Sequence, residues 1–97
     1  MFRIEDGADG VVVLAGRFDA GQCPAARSVL GRVRGVVTLD CRQLEYISSA
    51  GLGLLLKTQK QLMGGGGKLR LLGLNRHLCD IFKYSGFDQI FEIEPLQ

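Results

Sequence analysis

The chain is short of what most catalytic and metal chemistry uses. It has one histidine, His77, and its three cysteines, Cys23, Cys41 and Cys79, stand far apart with no Cys-x-x-Cys among them. A lone histidine and scattered thiols cannot build a metal cluster, so neither metal nor cofactor is expected. Separated cysteines in odd number point to buried free thiols in a reducing compartment. The hydrolase elbow Gly-x-Ser-x-Gly is missing, because Ile47 stands two places before Ser49. With only His77 to act as a base, catalysis ranks well below binding, and His77 itself reads as a solvated helix residue.

Charge of one sign is lacking too. The net charge is +2, and Arg32, Arg34, Lys57, Lys60, Lys68, Arg70 and Arg76 form no run and carry no interleaved aromatics. That argues against nucleic acid as a partner. Apolar stretches such as Leu52 to Leu56 are far too short to span a bilayer, and the start, Met1 to Asp6, has no signal-peptide core. A cytoplasmic protein with no membrane partner is therefore expected. No internal repeat or linker is found, and low complexity is confined to Gly64 to Gly67.

What is present suits one small domain, residues 1–97. A chain of 97 residues, 46% apolar and 23% charged, has an ordinary globular composition. At this size folding buries roughly 60–70% of the unfolded surface, enough for one modest core.

Phe2 and Ile4 alternate with Arg3 and Glu5 as a short strand, and residues 6–10 form a turn by composition. Val11 to Leu14 is a β-branched run suited to a strand covered on both faces, continuing to Asp19. Ala25, Ala26, Val29, Leu30 and Val33 recur at helical spacing, with Pro24 in the first turn and Gly35 as the stop. Val36 to Leu39 reads as a buried strand, and Asp40 to Tyr46 as a loop. Residues 49–63 read as a helix with Leu52, Leu55, Leu56, Gln59, Leu62 and Met63 on one stripe. Leu54 departs from that stripe and projects near Lys57 and Gln61. Gly64 to Gly67 end this helix. They follow a helix and precede a strand, the reverse of a phosphate loop. A strand at Leu69 to Leu72, a short helix near 75–85 with Gly86 just past its end, and a last strand around Phe91 and Ile93 stopped by Pro95 complete the order ββαβαβαβ. Strands alternating with helices predict an α/β fold with a mixed, partly parallel sheet and right-handed crossovers.

The most informative run is Tyr46 to Gly53. It places two hydroxyls, Ser48 and Ser49, where a helix start exposes unpaired N–H groups and a positive dipole end. Local spacing alone favours a plain N-cap. A phosphate on either serine would add roughly −1.5 to −2 charges without unfolding anything. Gly51 and Gly53 in the first turns let another protein approach closely. Asp19, at the end of the second strand, reads either as a turn or cap residue, or as an acid beside the serines. The sequence does not decide between them.

In their order these segments resemble the STAS domains, the anti-sigma-factor antagonists. Leu14 to Ala20 is similar to the family's Leu-x-Gly-x-Leu-Asp segment. Val36 to Asp40 followed by Ile47 to Leu52 resembles its strand and phosphorylation site. Gly67 to Leu71 and Phe82 to Phe87 resemble its later segments, so nearly the whole chain is covered. The resemblance implies a small mixed sheet with helices mainly on one side. It implies a non-enzymatic regulator that binds a serine-kinase anti-sigma factor of histidine-kinase-like ATPase fold, releases it when phosphorylated, and is reset by a serine phosphatase. On this sequence the phosphorylated position is Ser49, with Ser48 the second choice. The family often has aspartate where Ser48 stands, which here removes a carboxylate and supplies a second hydroxyl. Asp19 matches the family's acidic position. The implied partner surface comprises Asp19, Ser48, Ser49, Ala50, Gly51, Gly53, Leu54, Lys57 and Gln61, with Leu54 as apolar contact and Lys57 and Gln61 at the rim. STAS-like domains also serve as structural subunits docked on the ABC ATPase of lipid-transport complexes, a second reading that requires no phosphorylation.

Overall fold

The computed structural model describes residues 1–7 and 9–96; Ala8, within the turn expected at 6–10, and Gln97 lie outside them. The strands are β1 (Phe2–Asp6), β2 (Val11–Phe18), β3 (Val36–Ile47), β4 (Lys68–Leu74) and β5 (Glu92–Pro95). The helices are α1 (Cys23–Leu30), α2 (Ser49–Gly64) and α3 (Arg76–Ser85), with single 3-10 turns at Ala20–Gln22 and Phe87–Gln89. The order ββαβαβαβ is the expected one.

The five strands form one sheet in the order β1-β2-β3-β4-β5. Only the β1–β2 hairpin is antiparallel; β2–β3, β3–β4 and β4–β5 are parallel. Each parallel pair is joined through a helix, as parallel strands require. One face of the sheet carries the core: Val12, Leu14, Val37, Leu39, Cys41, Leu69 and Leu71 join Ala26, Leu30, Leu55, Leu78 and Phe82 of the helices in a single buried cluster. The alternate positions, Val11, Val13, Val36, Thr38 and Arg70, are half-buried or exposed. The runs at 11–14 and 36–39 are therefore covered on one face, not on both. Their β-branched character reflects strand preference on a half-open sheet.

The expected loop at 40–46 is strand. β3 runs unbroken for 12 residues, but its register slips against β2 between Val13 and Ala15 and again between Gly16 and Arg17. At each slip β3 advances one residue further than β2. The inward positions are consequently Val37, Leu39, Cys41, Leu44 and Ile47. Two bulges destroy the period-two pattern on which a strand reading depends.

Three smaller expectations fail for local reasons. α1 ends at Leu30 with Gly31 as its C-cap, so Val33 and Gly35 belong to the turn that follows; Gly35 takes a positive φ of 75°. Met63, placed on the buried stripe, is 59% exposed in the last turn of α2. Pro95 closes β5 from within, opposite Leu74; an edge strand tolerates the missing N–H. Gly64 to Gly67 end α2 as expected, and Gly86 caps α3 at φ 80°. Cys23 and Cys41 are buried free thiols, while Cys79 is half-buried. Burial pushes the Cys41 thiol up to about 12, so it is inert at neutral pH.

Candidate functional site

The site is built where β2 and β3 end and α2 begins. Phe18 pairs with Ile47 in the last rung of the two strands, and both side chains are buried. The Ser48 N–H donates to Phe18 O at 2.9 Å, which ties the first residue beyond β3 back to β2. Ser48 then has extended backbone (φ −83°, ψ 169°), and its Oγ accepts from the Gly51 N–H at 3.2 Å. Ser48 is thus the N-cap, half-buried and with its hydroxyl committed. Ser49 is the first helical residue and is exposed, as is Ala50. No hydrogen bond holds the Ser49 hydroxyl among the described residues. The two serines that local spacing could not separate are separated by geometry.

The two glycines of this turn differ just as clearly. A Cβ on Gly51 would meet Ile47 Cγ1 at 2.8 Å and Phe18 O at 3.1 Å, so its small size is what lets α2 lie down on the strand ends. A Cβ on Gly53 would meet nothing within 4 Å. Gly53 is exposed mid-helix, where glycine costs roughly 1 kcal/mol against alanine. No packing within the molecule accounts for it.

Asp19 is half-buried and starts the 3-10 turn Ala20–Gln22, which touches α2. Its N–H donates to Gln22 Oε1 at 3.3 Å, and its carbonyl accepts from the Gln22 N–H at 3.0 Å. Asp19 is thus a turn residue, and it follows Phe18, whose carbonyl holds the Ser48 N–H. Lys57 is exposed along the same helix. Gln61, also exposed, lines a hollow of about 360 Å³ between the C-terminal ends of α1 and α2, away from the tip.

Like the buried Gly51, Leu54 is a residue of the expected partner surface that the structure corrects. It is only 8% exposed and belongs to the core cluster, and both α1 and the 3-10 turn Ala20–Gln22 pack on α2. It is not available as an apolar contact for a partner. The buried face of α2 is therefore wider than one stripe: Gly51, Leu52, Leu54, Leu55, Thr58, Gln59 and Leu62 are all covered. Gln59 anchors it. Its Nε2 donates to Ile90 O at 2.8 Å, and its Oε1 accepts from the Leu69 N–H at 2.7 Å. The amide thus fastens α2 to the start of β4 and to the segment before β5, and fixes the helix whose tip carries the serines.

Sequence reasoning missed Arg17 and Tyr46, which pair across β2 and β3 one rung before Phe18 and Ile47. The Arg17 guanidinium lies 4.3 Å from the centre of the Tyr46 ring. Gly16, a glycine inside a strand, was the available signal of an irregularity there; it has φ 86°, and a Cβ would collide with Met1 O at 2.0 Å. Among the described residues no three His, Cys, Asp or Glu side chains gather to hold a metal, and no helix is long and apolar enough to cross a membrane.

The fold and this serine turn define a STAS domain, and the chain belongs to that family: the family described as "Mlab, STAS domain" matches residues 1–95. A candidate anti-sigma factor antagonist of Bordetella bronchiseptica, BtrV, is 46% identical over 57 residues, 59% of this chain and 49% of that protein, so the match spans about half of that relative. The anti-sigma-B factor antagonist of Bacillus subtilis is 31% identical over 84% of this chain and 78% of its own length. A STAS-domain-containing protein of Pseudomonas aeruginosa is 31% identical over 91% and 90%. Among solved structures, an anti-sigma factor antagonist from Thermotoga maritima superposes with a TM-score of 0.78 at 20% identity, covering 95% of this chain and 84% of that one. The antagonist SpoIIAA superposes in its unphosphorylated form at 0.71, with 19% identity over 100% of this chain and 90% of that one. Its phosphorylated form superposes at 0.69, with 22% identity over 97% and 91%.

Proposed function

We propose that the protein is an anti-sigma-factor antagonist whose affinity for a serine-kinase anti-sigma factor is switched by phosphorylation of Ser49. It is a cytoplasmic binding protein and not a catalyst. Unphosphorylated, it holds the kinase, a histidine-kinase-like ATPase, through Ser49, Ala50, Gly53 and Lys57, with Asp19 and Ser48 at the border, and the sigma factor goes free. Phosphorylated, it lets go, and a serine phosphatase resets it.

One observation carries this reading: Ser48 spends its hydroxyl on the cap while Ser49, beside it, is exposed and uncommitted. The names of the relatives support the partner class. The small exposed surface of Ala50 and Gly53 supports close approach of another backbone. A phosphate at Ser49 sits at a positive helix end, so the free protein accommodates it without refolding. SpoIIAA, which superposes in both phosphorylation states, supports a switch of that kind. In a packed interface the same dianion must be desolvated. A penalty of about 4 kcal/mol lowers affinity roughly a thousandfold.

The test is binding of purified variants to the cognate kinase by calorimetry. Ser49→Ala is expected to bind as the parent does and to resist phosphorylation, and Ser49→Asp to bind far more weakly. Equal affinity of both variants would refute the switch. The family description, which names Mlab and not an anti-sigma antagonist, favours one second reading: a constitutive subunit docked on an ABC ATPase of a lipid-transport complex. Co-purification of an ABC ATPase with both Ser49 variants would support that instead.

A further inference from the structure

The second bulge of β3 has a chemical consequence. A regular ladder continuing from Gly16↔Leu44 would set Arg17 opposite Glu45, but the extra residue sets Tyr46 there instead. Directly opposed side chains in a sheet interact, and an Arg–Glu pair would have satisfied the guanidinium within the molecule. The bulge withholds that carboxylate and supplies an aromatic ring, with the guanidinium 4.3 Å from its centre. Bulges beside functional sites re-aim side chains in this way.

The other cations of the sheet have carboxylate partners. Arg3 meets Glu5 at 3.5 Å, Arg42 meets Asp40 at 2.7 Å, Lys68 meets Glu92 at 2.8 Å, and Arg70 also meets Glu92. Arg17 is exposed and has none within 4 Å among the described residues. The backbone beneath it is pinned: the Arg17 N–H donates to Met1 O at 2.9 Å. A guanidinium laid on a ring is held in place yet keeps its N–H edge free to grip a carboxylate in bidentate fashion.

Arg17 also adjoins the serine turn through the backbone. The next residue, Phe18, is the one whose carbonyl holds the Ser48 N–H. Arg17 and Tyr46 face away from the buried Phe18 and Ile47, so they flank the strand ends on the side opposite α2. A partner seated on Ser49 with a standard footprint of roughly 800 Å² reaches over these ends.

We propose that Arg17, held on Tyr46, is the second anchor of the docking surface and grips an aspartate or glutamate of the anti-sigma partner. This rests on the function proposed above and adds the partner's chemistry to it. Desolvated Arg–carboxylate contacts flanked by an aromatic are typical dominant anchors of interfaces, and their charge makes the association depend on salt.

The experiment is calorimetry of the full chain against the cognate anti-sigma kinase at low and high ionic strength, with thermal melts as the control for folding. Arg17→Glu is expected to weaken binding about tenfold or more at low salt and to flatten the salt dependence, with an unchanged melt. Arg17→Lys is expected to fall between, because it keeps the charge and loses the planar fork. Lysine substitution of one partner carboxylate is expected to restore binding to Arg17→Glu. If Arg17→Glu binds like the parent while Ser49→Asp still loses affinity, this anchor is wrong and the switch stands. If the parent chain does not bind the kinase at all, both fall.

Discussion

The two helix tips at the same end of the sheet are built alike and differ in what they leave over. α2 follows β3 through Ser48, and α3 follows β4 through Asn75. Both cap residues are extended, and both accept from the N–H three residues on: Gly51 N at 3.2 Å for Ser48 and Leu78 N at 2.8 Å for Asn75. Asn75 goes further and donates from Nδ2 to Leu44 O at 3.4 Å, tying α3 to β3. After the caps the tips diverge. α3 exposes Arg76 and His77, long side chains that keep another backbone at a distance. α2 exposes a free hydroxyl, a methyl group and Gly53. A capped helix start on a strand end is ordinary architecture. The spare hydroxyl on a bare surface makes one of the two a candidate switch.

Four perturbations sharpen that contrast, the largest effect first. Phosphorylated Ser49 is expected to lower kinase affinity roughly a thousandfold, whereas Arg76→Asp, adding a negative charge at the α3 tip, leaves it unchanged; calorimetry reads both. Gly51→Ala is expected to destabilise by about 1–3 kcal/mol in denaturant unfolding, because its methyl meets Ile47 and Phe18. Gly53→Ala, two residues along, is expected to stabilise by about 0.5–1 kcal/mol while weakening the kinase complex. Opposite signs for stability and binding at Gly53 would mark a residue kept for a partner. Cap removal is expected to cost about 1 kcal/mol for Ser48→Ala, and more for Asn75→Ala because it makes two bonds. Ser48→Ala should leave Ser49 phosphorylatable.

The smallest effect is a control six residues upstream of the Ser48 cap. Arg42 donates to Asp40 at 2.9 and 2.7 Å and holds its carboxyl below the usual carboxylate range. The stabilisation this brings is present above the unfolded-state pKa and fades as pH falls through the lower folded-state value. Arg42→Ala is expected to make the acid limb of a stability–pH curve shallower, with kinase binding at neutral pH untouched.

The order of elements, the mixed, partly parallel sheet and the serine turn were legible in the sequence, because helical spacing at 52–62 and the glycine stops at 64–67 and 86 are local signals. What was not legible depends on neighbours in space. The strand from Asp40 to Ile47 is bulged twice, and only its register with β2 shows which residues point inward. Leu54 is spare on a helical wheel, but α2 packs on α1 and on the 3-10 turn as well as on the sheet, and Leu54 is buried. Ser48 and Ser49 look equivalent until the Gly51 N–H chooses one of them. Gln59 sits on an apolar stripe and is explained only by two distant backbone groups, Ile90 O and Leu69 N.

The central claim is that the exposed Ser49 hydroxyl, and not that of the capping Ser48, receives the phosphate. Mass spectrometry of the chain after incubation with its cognate kinase and ATP tests this directly. A single phosphate on Ser49, absent from Ser49→Ala and retained in Ser48→Ala, is the expected result. Phosphate on Ser48, or only on Ser28 or Ser85, would contradict it.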